Sequence, residues 1–141
     1  MVCVGSLKGA MKDIENEYLK RMRDVDVVEV KEEKDKGLGV DKILKNEEKR
    51  ILDKLRGFVV VLDEKGKEMN SNEFARFVNE RRLGGDITFV VGGPYGLSQN
   101  IKNRADIILS LSRLTLTHEM ARILLLEQLY RTFTKSIGYH K

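Results

Sequence analysis

A chain of 141 residues, 41% hydrophobic and 34% charged, is long enough to bury a core and reads as one domain over residues 1–141. No apolar run approaches the roughly 20 residues needed to span a bilayer. The opening Met1-Val-Cys-Val4 is too short for a secretory signal. The single cysteine, Cys3, cannot form an internal disulfide and sits in an apolar run as a small core residue. Together these features predict a cytoplasmic protein.

Residues 1–4 predict a short strand, and residues 9–22 a helix whose Ile14, Tyr18 and Met22 fall four apart on one apolar stripe. Valine-rich alternation predicts a second strand over residues 25–30. The charge-dense stretch 31–39, with two glycines, is predicted as a solvated loop. Val40, Ile43, Leu44, Ile51, Leu52 and Leu55 give helical spacing over residues 40–55, which Gly57 ends. The continuous apolar run Phe58-Val-Val-Val-Leu62 marks a strand buried on both faces, and residues 63–67 are predicted as a turn. Asn70 or Ser71 can cap the next helix, with Glu73 in its first turn and Phe74, Phe77, Val78 and Leu83 on its apolar side.

Gly84-Gly85 stops that helix, and residues 87–91 form a fourth strand. A short helix over 97–104 and a fifth strand over 107–111 follow. The longest helix is predicted over 117–137. The alternation of strands and helices is that of an α/β fold, a mostly parallel sheet flanked by helices. Ala121, Leu124, Leu125 and Leu129 make one stripe of the last helix, and Ile123, Leu126, Tyr130, Phe133 and Ile137 a second. A helix apolar on two faces is buried on two faces, which predicts a two-fold homodimer.

The net charge is +4 and lies entirely beyond residue 97, because residues 1–70 hold 16 basic and 16 acidic residues and residues 71–97 hold three of each. The excess comes from Lys102, Arg104, Arg113, Arg122, Arg131, Lys135 and Lys141 against Asp106, Glu119 and Glu127. It fits either a solvated helix with a basic end, which the helix dipole favours, or a patch that meets phosphate.

Familiar motifs fail on spacing. Gly92-Gly-Pro-Tyr-Gly96 is neither a Rossmann fingerprint nor a P-loop. His118-Glu119 opens like a zincin helix but meets Arg122 where the second histidine belongs. With only His118 and His140 in the chain, a histidine-rich metal site is excluded. No nucleophile elbow surrounds Ser98, Ser110 or Ser112. In doubly wound sheets ligands bind beyond the carboxyl ends of the strands. Those ends are Leu62-Asp63, Val91-Gly-Gly-Pro-Tyr-Gly96 and Ser110-Leu-Ser-Arg-Leu-Thr-Leu116. They predict a small-molecule site built from three loops.

At these same residues the chain resembles a known family. Leu62-Asp63 with Gly66-Lys67, Val91-Gly-Gly-Pro-Tyr-Gly-Leu-Ser98, Leu109-Ser-Leu-Ser-Arg-Leu-Thr-Leu116, His118, Glu127-Gln-Leu-Tyr-Arg131 and Tyr139-His-Lys141 look like the RlmH family, the SPOUT-class large-subunit ribosomal RNA pseudouridine N3-methyltransferases. The resemblance runs nearly the whole chain in order. It departs at Thr117, where the family commonly has proline. It implies a SPOUT-type fold with a C-terminal trefoil knot over about residues 87–141, a homodimer, and S-adenosyl-L-methionine as cofactor. It implies a cofactor pocket lined by Leu62, Gly92, Gly93, Leu111, Ser112, Arg113, Leu114, Thr115 and Leu116. It further implies His140 as base or orienting group with Tyr139 stacking on a base, and Arg113, Arg131 and Lys141 as contacts to ribosomal RNA or the assembled ribosome. Two other readings stay open: a SPOUT enzyme acting on another RNA such as tRNA, and a non-catalytic flavodoxin-like binding protein.

Overall fold

A computed structural model describes residues 1–134. Its order is β1 (Val2–Val4), α1 (Gly9–Lys20), β2 (Val28–Val30), α2 (Val40–Leu52), β3 (Phe58–Glu68), α3 (Ser71–Arg82), β4 (Ile87–Val91), α4 (Gln99–Arg104), β5 (Ile107–Ser110) and α5 (His118–Thr134). The five strands form one sheet in the order β2-β1-β4-β3-β5, and every pairing is parallel.

Alternation along each strand sends successive side chains to opposite faces, and the two core clusters follow it. Cys3, Val60, Phe89, Val91 and Leu109 face α1, α3 and α5, where Met22, Phe74, Val78, Leu125, Leu126 and Leu129 meet them. Val2, Val4, Val59, Val61 and Val90 face α2 and α4 through Ile51 and Ile101. Three helices on one face and two on the other cover the sheet, which is why its strands read as unbroken apolar runs.

Local chemistry fixes the helix starts. Asn70 accepts from the Glu73 amide at 2.8 Å while Glu73 accepts from the Asn70 amide at 2.9 Å, a complete capping box. The Ser98 hydroxyl accepts from the Ile101 amide, and the Thr117 hydroxyl from the Met120 amide.

The structure revises four expectations. β2 starts at Val28, not residue 25, because it pairs only with the three residues of β1. Residues 63–67 are not a simple turn. Leu62 and Lys67 both pair with Leu109, so residues 63–66 arch out and the strand then resumes beside β5. A Cβ on Gly66 would stand 2.6 Å from the Ile108 carbonyl oxygen, so only glycine passes there. On α1, Ile14 is exposed and Glu15 is completely buried, a rotation of the expected stripe. Finally, Leu83 caps α3 and is exposed instead of packing inward.

The second apolar face of α5 has an intramolecular account. Tyr130 meets Tyr18 of α1 at 5.6 Å between ring centroids, and Phe133 lies under the Arg82 guanidinium of α3 at 4.7 Å. The helix is wedged between two neighbours as well as laid on the sheet.

Candidate active site

A cavity of about 570 Å³ opens at the carboxyl ends of the strands, within the size range of ligand pockets. Three chain segments wall it: residues 62–64 after the regular part of β3, residues 91–97 at the end of β4, and residues 111–121 running from β5 into α5.

The β4 loop is held from both sides. The Gly96 amide donates to the Gly93 carbonyl at 3.0 Å, closing a four-residue turn with Pro94 and Tyr95 at its tip. A Cβ on Gly92 would stand 2.8 Å from the Gly96 carbonyl oxygen, so residue 92 has to lack one for the turn to close. The resulting wall presents main chain, suited to reading polar edges of a ligand, rather than side chains.

The opposite walls are tied together. The Thr115 hydroxyl donates to a Glu64 carboxylate oxygen at 2.6 Å, across 51 residues of sequence. Asp63 accepts from the Lys65 amide at 2.9 Å and pairs with Lys102 of α4 at 2.9 Å. Partial burial opposes ionisation of Asp63, but these bonds outweigh it and hold its carboxyl below the usual range. At the floor, the Ser110 hydroxyl donates to the Ser112 carbonyl at 2.8 Å, and the Ser112 hydroxyl accepts from the Leu114 amide at 3.0 Å.

Of the residues predicted around the cofactor, Leu62, Gly92, Gly93, Leu111, Ser112, Leu114, Thr115 and Leu116 line this one cavity. Arg113 does not; its side chain is 83% exposed with its Nε 3.9 Å from a Glu68 oxygen. Arg131 lies away from the cavity on α5, ion-paired to Glu127 one turn earlier, a bond that raises the guanidinium pKa. Tyr139, His140 and Lys141 fall outside the described residues. The cavity also takes in Asp63, Glu64, Pro94, Thr117, His118 and Glu119. Asp63 was visible as a strand-end residue, whereas Glu64 sits in the stretch predicted as a turn.

Below the first turn of α5 lies a buried ion network. Arg122 is 2% exposed and Glu15 0%. The guanidinium donates to both Glu15 oxygens at 2.6 and 2.9 Å, to Glu29 at 2.6 Å and to the Gly5 carbonyl at 3.3 Å. Arg122 is therefore an internal tie joining α5 to α1 and β2, not a surface cation. Burial opposes its charge, but the carboxylates prevail and hold its pKa above the ordinary value.

A larger cavity, about 880 Å³, lies at the amino ends of the strands. Its walls carry Arg23, Lys54, Arg56 and Arg82 against Asp24, Asp26, Asp53 and Asp86. It lacks both a glycine-built wall and a position at the carboxyl ends where parallel sheets bind ligands. Among the described residues no group of three potential ligand side chains could hold a metal ion, and no helix is long and apolar enough to cross a membrane.

Comparison with known proteins bears on this geometry. A family model described as Predicted SPOUT methyltransferase matches residues 1–140. The chain belongs to the SPOUT methyltransferase family. Within it, the chain is 40% identical to the ribosomal RNA large subunit methyltransferase H of Syntrophotalea carbinolica, over 99% of this chain and 96% of that one. It is 40% identical to the protein of the same name from Caldicellulosiruptor saccharolyticus, over 100% of this chain and 98% of that one. Its identity to the Carboxydothermus hydrogenoformans protein of that name is 41% over the same shares. These full-length matches place it in the RlmH group of SPOUT proteins. The loops on which the resemblance rests and the cavity coincide at the carboxyl ends of β3, β4 and β5.

Proposed function

We propose that this chain is a single-domain S-adenosyl-L-methionine-dependent methyltransferase that modifies N3 of a pseudouridine in large-subunit ribosomal RNA, acting in the cytoplasm as a homodimer. The observation that carries the reading is the cavity in which the three family-like loops converge. Its walls suit the cofactor. Main-chain groups of Gly92 and Gly93 and of residues 111–116 can read adenine and ribose, and Leu62, Leu111, Leu114 and Leu116 can enclose the ring. When bound, the cofactor supplies an electrophilic methyl on a sulfonium centre.

The chain's own task is positioning and proton removal. An imide nitrogen is nucleophilic once its proton leaves, so a base must stand within reach of N3. The acceptor must also be aligned with the methyl carbon. His140 is assigned as base or orienting group and Tyr139 as a base-stacking residue, with Lys141 beside them on the RNA. Arg113, projecting from the outer side of the cavity wall, suits a phosphate contact. Arg131 would contact RNA only by exchanging its Glu127 partner.

A trefoil knot over about residues 87–141 is part of the proposal. Exposed Leu114 and Met120 at the cavity rim give the homodimer an apolar surface to cover.

Two assays test the reading. Calorimetry should detect S-adenosylmethionine binding, and its absence would remove the methyltransferase. Tritiated methyl transfer to large-subunit RNA, with and without the target pseudouridine, should require that base. Transfer to tRNA instead would favour the alternative substrate. His140→Ala should abolish transfer, and full activity in that variant would take His140 out of the mechanism.

A further inference from the structure

Every residue from 91 to 97 except one lines the carboxyl-end cavity; the exception is Tyr95. Its side chain stands on the outside of the loop, 46% exposed. It makes no hydrogen bond or ring contact with any described residue. Yet the backbone beneath it is among the most constrained in the chain. Pro94 fixes the preceding φ, Gly96 closes the turn onto Gly93 at 3.0 Å, and Gly92 and Gly93 leave no room for a Cβ against Gly96, Leu97 and Val4. A large aromatic ring is thus held on a rigid turn beside the cavity, without a hydrogen bond or ring contact to any described residue.

We propose that Tyr95 is a stacking platform for an unpaired base of the substrate RNA, next to the nucleotide that enters the cavity. The inference rests on the RNA methyltransferase reading and extends it to a substrate subsite. Single-stranded RNA is recognised largely by stacking of splayed bases on aromatic side chains, and a preorganised ring costs little entropy on binding. The surroundings suit the ribose-phosphate chain. The helix that begins at Gln99 presents Gln99, Asn100, Asn103 and Arg104 to solvent, and Arg104 has no ion pair among the described residues. Amide and guanidinium groups there can meet phosphate and 2′-hydroxyl oxygens, while the ring supplies the non-ionic contact.

The test combines equilibrium binding of large-subunit RNA with methyl transfer and cofactor calorimetry. Tyr95→Ala should weaken RNA affinity by about 5- to 150-fold, the range for loss of one stacked base, with S-adenosylmethionine affinity and oligomeric state unchanged. Tyr95→Phe should restore the affinity, since it keeps the ring. The salt dependence of RNA binding should have the same slope in both variants as in the parent, whereas loss of a phosphate contact would lower it by about one. An alanine variant that binds RNA like the parent overturns the proposal. So does one that loses cofactor affinity in step with RNA affinity, or one that dissociates, which would assign the ring to a second copy. Tyr95-dependent RNA binding without methyl transfer in the parent would leave the platform standing and remove the methyltransferase.

Discussion

The two ends of the parallel sheet are built on different principles. At the carboxyl ends, the cavity is walled by main chain, leucines and glycines. Among its polar side chains, Thr115 is bonded to Glu64, and Asp63 to Lys102 of α4. Beneath it the Arg122 network is buried and saturated. At the amino ends, the larger cavity is walled by four basic and four acidic side chains, and its one ion pair among the described residues, Arg82 with Asp24 at 3.6 Å, is solvent-exposed. Size alone favours the amino end, whereas the proposed site lies at the carboxyl end. A ligand site needs fixed geometry, and the carboxyl end has it because its loops are pinned by glycine contacts and cross-strand bonds.

The sharpest contrast is in stability. Arg122→Met should destabilise the fold by about 3–5 kcal/mol, because the buried Glu15 then keeps only the half-exposed Lys12 as a charge partner. Arg82→Ala, at the other end, should cost no more than about 1–2 kcal/mol, the sum of an exposed ion pair and the contact with Phe133. Urea denaturation of both variants measures this, and equal losses would erase the distinction.

A second contrast is catalytic. Thr115→Val removes the donor to Glu64 and should raise the KM for S-adenosylmethionine several-fold without lowering the unfolding midpoint. Arg56→Ala in the amino-end cavity should leave KM and kcat unaltered. A cofactor effect confined to Arg56→Ala would relocate the site.

The smallest effect concerns Cys3, which lies mid-strand between the two ends. Burial pushes its thiol up to about 11 from an ordinary value of 9.0. With the folded value above the unfolded one, the neutral thiol's contribution is present below about pH 9 and lost as the pH rises toward about 11. Native protein at pH 8 should therefore react with iodoacetamide at least about 100-fold more slowly than urea-unfolded protein. Comparable rates would mean that the β1 core opens.

Much of this was legible in the sequence. The order of elements, the capping of α3 by Asn70 and the three strand-end loops follow from periodicity and turn chemistry. What was not legible depends on distant partners. Glu15 reads as a solvent residue because its guanidinium partner lies 107 residues later. Val25 and Val27 read as strand, yet β1 offers only three residues to pair with. The arch at residues 63–66 reads as a turn because only the pairing of Lys67 and Glu68 with Leu109 and Ser110 shows that the strand resumes. Likewise the sequence left the excess positive charge open between a solvated helix end and a phosphate-facing patch. In the fold, Lys102, Arg122 and Arg131 are tied to carboxylates, whereas Arg113 projects into solvent.

The central claim is that the carboxyl-end cavity holds the methyl donor, and titration calorimetry with S-adenosylmethionine tests it most directly. The parent protein should bind, and Gly92→Val should not while remaining folded by circular dichroism, since a side chain there collides with Gly96 and Leu97 and deforms the wall. Unchanged binding by Gly92→Val, or no binding by the parent, would contradict the account.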